Sequence, residues 1–215
     1  MQTIALVARK GGSGKTTVAV HLALAAWLRG LHVLLADVDP QLSATEALRE
    51  RPGLGPNLVT TIPSKLYGLQ MNAVRQGMDL MIIDTAAGMP EDHAHAVVLA
   101  DLSLVVVRPS FLDLAAAIES VAMIRRVKKP VLMVVNQAPP ARDGVEPPAV
   151  RRALKALAVL GQPIAPILLR ARMTYQTALE TGRTAEEVGP PAAAQEVAEL
   201  WAYVQHMAFS RRAAG

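Results

Sequence analysis

An apolar run, Ile4-Ala5-Leu6-Val7-Ala8, leads into Lys10-Gly11-Gly12-Ser13-Gly14-Lys15-Thr16-Thr17 and then into Val18-Ala19-Val20. An aliphatic segment, a glycine-rich stretch and a Lys-Thr-Thr opening a second apolar run read as strand, anion-binding loop and helix. The chemistry explains the residue types. Glycines let consecutive backbone N–H groups curl around an anion, and the helix N-terminus behind them adds the positive end of its dipole. Lys15 has the reach to neutralise the β- and γ-phosphates of a nucleotide, and the Thr16 hydroxyl is a ligand for Mg²⁺. The usual pattern G-x-x-x-x-G-K-[ST] requires glycine at position 9, where Arg9 stands, and an additional lysine, Lys10, sits at the mouth of the loop.

Carboxylates end two further apolar runs. Ala36-Asp37-Val38-Asp39-Pro40-Gln41 sets two of them two residues apart, hence on one face if the strand stays extended that far. The C-terminal ends of parallel strands face the ligand crevice of such a sheet. Leu80-Met81-Ile82-Ile83-Asp84 ends in a third carboxylate, the Walker B arrangement, which aims Asp84 at Mg²⁺ or its waters opposite Thr16. The run Val131–Val135 ends in Asn136-Gln137-Ala138-Pro139, with an amide at the corresponding strand end. Glu91-Asp92-His93-Ala94-His95 superficially suggests a metal site, but histidines two apart do not share a helical face, and the segment reads as a helix N-terminus in a mobile loop.

The elements that position these groups alternate along the chain. Strands are expected at Thr3–Ala8, His32–Asp37, Asp79–Asp84, Leu102–Arg108, Pro130–Asn136 and Pro163–Leu169, with a weaker one at Leu58–Ile62. Helices are expected at about 15–29, 42–50, 63–76, 91–100, 112–127, 147–160, 174–181 and 192–210. Continuous apolar strands, each followed by a helix, predict an α/β fold: a mostly parallel twisted sheet with helices on both faces. The 215 residues, 52% hydrophobic, suffice for one domain spanning 1–215, and the Pro/Gly clusters read as loops inside it. No run reaches a membrane span, and Met1-Gln2-Thr3 leads straight into the first strand without a charged leader. The absence of cysteine excludes disulfides, thiolate metal sites and iron–sulfur ligation, and a cytoplasmic protein is the simplest expectation.

With K-G-G-x-G-K-T at 10–16, D-x-D-P-Q at 37–41 and the strand ending in Asp84, the chain resembles the ParA/MinD family of deviant Walker A ATPases. Arg170-Ala171-Arg172-Met173-Thr174-Tyr175-Gln176-Thr177-Ala178 through Gly182 is similar, more loosely, to the segment that follows that family's last core strand. The resemblance is to the small ParA type without an N-terminal DNA-reading domain. It implies an ATP-Mg²⁺ site in which Lys10 through Thr17 bind phosphates and Lys10 crosses to a second subunit's nucleotide. It also implies that Lys10, Lys15 and Asp39 serve catalysis, with Asp39 orienting the attacking water. Thr16, Asp84 and Asp39 attend the metal, and Asp37 braces the loop or the metal's outer shell. Asn136 is implied as a base contact. Gln137 and Pro139 stand where guanine-specific relatives carry Lys and Asp, so ATP is favoured over GTP. Ala86 replaces a proline frequent in the family. The missing cysteines set aside the nitrogenase iron protein and metalloid pumps of the same fold.

The implied activity is slow ATP hydrolysis that a small centromere-binding or adaptor protein stimulates, in a homodimer formed with ATP that binds nucleoid DNA without sequence preference. Lys/Arg and Asp/Glu balance over residues 1–100, so the net excess of +4 lies in residues 101–215. Candidate phosphate contacts are Arg152, Lys155, Arg170, Arg172, Arg211 and Arg212; with 3% aromatics, base stacking is not on offer. Val197, Leu200, Trp201, Val204, Met207 and Ala208 form one stripe that either packs on the sheet or, in a MinD-like membrane-cycling factor, docks on lipid; packing is the favoured reading. A third reading is an ATP-dependent metabolic enzyme on the same scaffold.

Overall fold

The computed structural model describes residues 1–88 and 93–210. Six strands form one sheet: β1 (Gln2–Val7), β2 (Val33–Asp37), β3 (Asn57–Thr60), β4 (Leu80–Asp84), β5 (Leu102–Val107) and β6 (Val131–Val135). Their order is β3-β2-β4-β1-β5-β6, and every neighbouring pair is parallel. Parallel strands need helical crossovers, and those helices cover both faces, which is why β1, β2, β4, β5 and β6 are buried along their whole length and mostly apolar.

Alternate residues of each strand feed opposite cores. Ile4, Leu6, Leu35, Ile82 and Leu104 pack with α1 (Lys15–Leu28) and α9 (Pro191–Phe209), joined by α2 (Ser43–Arg49), α7 (Met173–Leu179) and α8 (Ala185–Val188). On the other face, Ala5, Ala36 and Ile83 meet α3 (Leu66–Arg75) and α4 (Ala94–Leu99). There too, Val7, Val105 and Val135 meet α5 (Phe111–Arg126) and α6 (Pro148–Ala158). The α9 stripe is consumed by packing. Val197, Leu200, Trp201, Val204 and Ala208 are buried, Met207 packs against the same cluster, and Trp201 is among the largest fully buried side chains. No helix of the described residues is long and apolar enough to cross a membrane.

Two expectations need correction. The segment 163–169 is not a strand of the sheet. It runs beside β6 and forms one isolated parallel bridge to it, Met133 with Ile164, with a second just beyond both, Ala138 with Arg170. Ala165 N–H donates to Met133 O, but the next contact to β6 comes only from Leu169 N–H to Val135 O, a detour of two residues at Pro166, which has no N–H. The strand carrying Asp37 ends there, so Asp39 falls in a turn and not on the same strand face. The weak strand at 58–62 exists as β3, whereas the short helix α8 had no apolar periodicity to announce it.

Candidate functional site

The phosphate-loop sequence forms the turn between β1 and α1, with Gly12 at φ 75° and Gly14 at φ 87°, in the left-handed region that favours glycine. Gly14 is required twice over: a Cβ there would stand 2.1 Å from the Asn136 side-chain nitrogen. It is also the N-cap of α1, which has no side-chain cap, so the first N–H groups of the helix remain available to an anion. Two consecutive amides at the end of β6 grip the loop from behind. Asn136 Nδ2 donates to Ser13 O at 2.8 Å and Gln137 Nε2 donates to Gly12 O at 2.9 Å.

The two lysines of the loop have different addresses. Lys15 is only 6% exposed. Its burial pushes the ammonium below its ordinary pKa, while Asp84 and Asp39 pull it back up. Lys10 lies partly exposed on the rim, with no ion pair or hydrogen bond among the described residues.

Asp37, Asp84 and Leu6 are register partners across β2, β4 and β1, which brings both carboxylates beside the base of the loop. Asp37 accepts the Thr45 N–H at 2.9 Å, the Thr45 hydroxyl at 2.8 Å and the Asp39 N–H at 3.1 Å, so it holds the turn into α2. Asp39 accepts the Gln41 N–H at 2.9 Å and lines a cleft of about 920 Å³ with the loop, α2, Ala86, Ala87 and part of α7. Asp84 lies fully buried, and neither of its oxygens has a hydrogen-bond donor among the described residues. Burial pushes its carboxyl up to about 7, against the nearby Thr16 hydroxyl and the Lys15 ammonium. A buried carboxylate with no protein donor beside a hydroxyl suits a hard divalent cation, so Thr16 and Asp84 fit Mg²⁺. Thr85 ties the end of β4 to β1 by donating its hydroxyl to Leu6 O at 2.6 Å.

Asn136 lines a smaller cleft of about 210 Å³ with Thr17, Gln137, Arg170, Arg172 and Tyr175. Its grip on the loop had no signal in the sequence, because the partners are 123 residues apart. Arg170 forks onto Glu146 at 2.6 and 2.8 Å, and Arg172 binds Glu196 at 2.7 Å. The carboxylate bond raises the Arg170 pKa and lowers that of Glu146. Two of the expected DNA contacts are thus already engaged with internal carboxylates. Arg152 and Lys155 stand exposed on α6 without a partner among the described residues, while Arg211 and Arg212 lie outside them. His93 is buried with Nε2 2.9 Å from Ala86 O, and Glu91 and Asp92 lie outside the described residues.

A parallel sheet carrying a K-G-G-x-G-K-T loop on its central strand, with acidic strand ends beside it, defines a P-loop ATPase domain of the deviant Walker A class. Residues 4–181 match the model of the CobQ/CobB/MinD/ParA nucleotide binding domain, and the chain belongs to that family. It is 28% identical over 200 residues to the maintenance of carboxysome distribution protein A of Halothiobacillus neapolitanus, covering 87% of this chain and 88% of that one. It is 24% identical over 252 residues to Protein IncC of Escherichia coli, covering 96% and 69%. The structure of apo McdA from Cyanothece superposes with a TM-score of 0.78 at 16% identity, covering 95% of this chain and 99% of the other, a likeness of fold. Among the curated relatives it matches, the chain spans from 13% to 88% of their own length.

Proposed function

We propose that this chain is a ParA-like partition or positioning ATPase that pairs over ATP and Mg²⁺, binds nucleoid DNA through its phosphates and lets go when a partner protein speeds hydrolysis. The observation that carries the reading is the division of labour between the lysines: Lys15 sequestered inside the loop, Lys10 on its rim without a partner among the described residues. One lysine suffices for the phosphates of its own subunit. The other is free to reach a nucleotide held by a second copy.

In this reading Lys15 and the amides of Gly11 through Thr17 hold the phosphates, and Asn136 and Gln137 keep the loop in its receiving shape. Thr16 and Asp84 would hold Mg²⁺, whose charge offsets that of the phosphates. Asp39, in a turn braced by Asp37, faces the cleft where an attacking water would be oriented for in-line displacement. Asn136 would also meet the base. Arg152 and Lys155, which have no partner among the described residues, are the DNA contacts this reading favours. A C-terminal membrane anchor draws no support from α9, whose apolar stripe is buried against the sheet.

The test is sedimentation of the protein with ATP, ADP or no nucleotide, for the wild type and Lys10→Ala, with duplex DNA titrated at several salt concentrations. The expected result is a dimer with ATP alone, lost in Lys10→Ala, and DNA affinity that appears with ATP and falls steeply with salt. A monomer under all three conditions, or equal DNA affinity with ADP and ATP, overturns the proposal.

A further inference from the structure

Immediately after β5, Arg108 is clamped side-on by Asp113 of α5: Nε donates to Oδ1 at 3.0 Å and Nη2 to Oδ2 at 3.2 Å. Asp113 is buried, accepts a further hydrogen bond from the Ser110 hydroxyl, and its own N–H donates back to the Ser110 oxygen at 3.3 Å. A flexible cationic side chain is thereby fixed by a carboxylate that cannot itself move into solvent. The side chain is still 34% exposed, against 5% for that of Asp113.

The clamp leaves Nη1 without an acceptor among the described residues, and Nη1 stands 3.5 Å from where a Cβ on Gly12 would lie. An oriented guanidinium donor therefore borders the phosphate loop, and the Asp113 that holds it lines a small pocket together with Lys10 and Ser13. Arg9, by contrast, is committed to Glu119. An ion pair serving only the fold would use the side-on fork and gain nothing from free donors held against a glycine of an anion-binding loop.

We propose that Arg108 is a further phosphate-contacting residue, a guanidinium pre-aimed by Asp113 at the terminal phosphate of the triphosphate. The inference rests on the ATP reading above and adds a residue to it. A donor at the rim meets the outermost phosphate and leaves the inner two to Lys15 and the loop amides, so it separates ATP from ADP. The terminal phosphate can belong to the same subunit or to a facing copy, and the same chemistry serves both.

The test compares wild type, Arg108→Gln, Arg108→Lys and Asp113→Asn by titration with fluorescent ADP and a slowly hydrolysed ATP analogue, with thermal melting as the check on folding. The expected result is about a tenfold loss of affinity for the triphosphate in Arg108→Gln, the effect of one charge-assisted contact. Affinity for ADP should stay within about twofold, since only the outermost contact is lost. Arg108→Lys should recover part of the loss, and Asp113→Asn should reproduce it in weaker form. Repeating the titration in a Lys10→Ala background, at dilutions that keep the protein monomeric, separates the sources. A loss that persists there assigns the contact to the same subunit, and a loss that vanishes assigns it to the facing copy. Equal losses for both nucleotides, or none for either, overturn the inference. Failure of the wild type to bind the triphosphate would instead overturn the ATP reading itself.

Discussion

Asp37 and Asp84 are register partners on adjacent parallel strands, β2 and β4, and share one face of the sheet, yet only Asp37 has its oxygens satisfied. The difference separates a carboxylate committed to the fold from one with no protein donor among the described residues. Removing a buried acceptor strands its donors, whereas removing an unsatisfied buried charge costs the fold nothing.

Asp37→Ala should therefore lower stability by about 2–4 kcal/mol, since the Thr45 N–H, the Thr45 hydroxyl and the Asp39 N–H all lose their acceptor. Asp84→Asn should leave stability in Mg²⁺-free buffer unchanged or raised, while abolishing Mg²⁺-dependent turnover. Urea denaturation beside an ATPase assay checks both. A large stability loss in Asp84→Asn would show that its oxygens have protein partners.

Gly14 and Asn136 are coupled by contact. Gly14→Ala puts a methyl group 2.1 Å from the Asn136 amide nitrogen at a positive φ, so the loop must shift and nucleotide affinity should fall by at least about tenfold. Asn136→Ala removes the hydrogen bond to Ser13 O and should weaken binding more mildly. Because the alanine at 136 also makes room for the methyl, the double variant should cost clearly less than the two single losses combined. Calorimetric titration of the three variants reads this directly; strict additivity would refute the clash.

His21 sets a pH limit on the fold. Burial against α7 and α9 pushes its pKa from 6.5 down to about 4, only partly opposed by its bond to Thr17 O and by Glu187; the Tyr175 ring meets it edge-on. A depressed histidine is neutral when folded, so the unfolded chain binds more protons between pH 6.5 and 4 and stability falls as the pH drops through that window. The loss should approach about 2 kcal/mol by pH 5. Urea midpoints at pH 7 and pH 5 should therefore differ more for the wild type than for His21→Phe. Equal differences would mean that His21 can accept a proton in place.

Most of the sheet was legible because its buried strands are largely apolar runs, and the phosphate loop because an anion-binding turn admits few residue types. The place of Asp84, closing β4 opposite Leu6, was legible for a related reason: a charge at the end of Leu80–Ile83 has no apolar purpose. What the sequence did not carry was long-range satisfaction. That Asn136 and Gln137 hold the loop, and that Glu146 and Glu196 occupy Arg170 and Arg172, are facts of packing between segments apart in sequence. The segment 163–169 misled for a local reason, because aliphatic content outweighed the prolines that break its ladder.

The occupied arginines make the DNA proposal discriminating. A guanidinium already forked onto a carboxylate gains little by exchanging it for a DNA phosphate, whereas Arg152 and Lys155 have no partner among the described residues to give up. Arg152→Ala and Lys155→Ala should each weaken binding equally across duplex sequences and reduce the slope of log affinity against log salt by about one. Arg170→Ala should leave that slope unchanged and lower the melting temperature, because Glu146 loses its partner and Pro139 O a donor. Filter binding across a salt series, with melting curves on the same preparations, separates the two groups. A salt slope reduced by Arg170→Ala, with those of Arg152→Ala and Lys155→Ala unchanged, would move the DNA-binding face from α6 to the cleft beside Asn136.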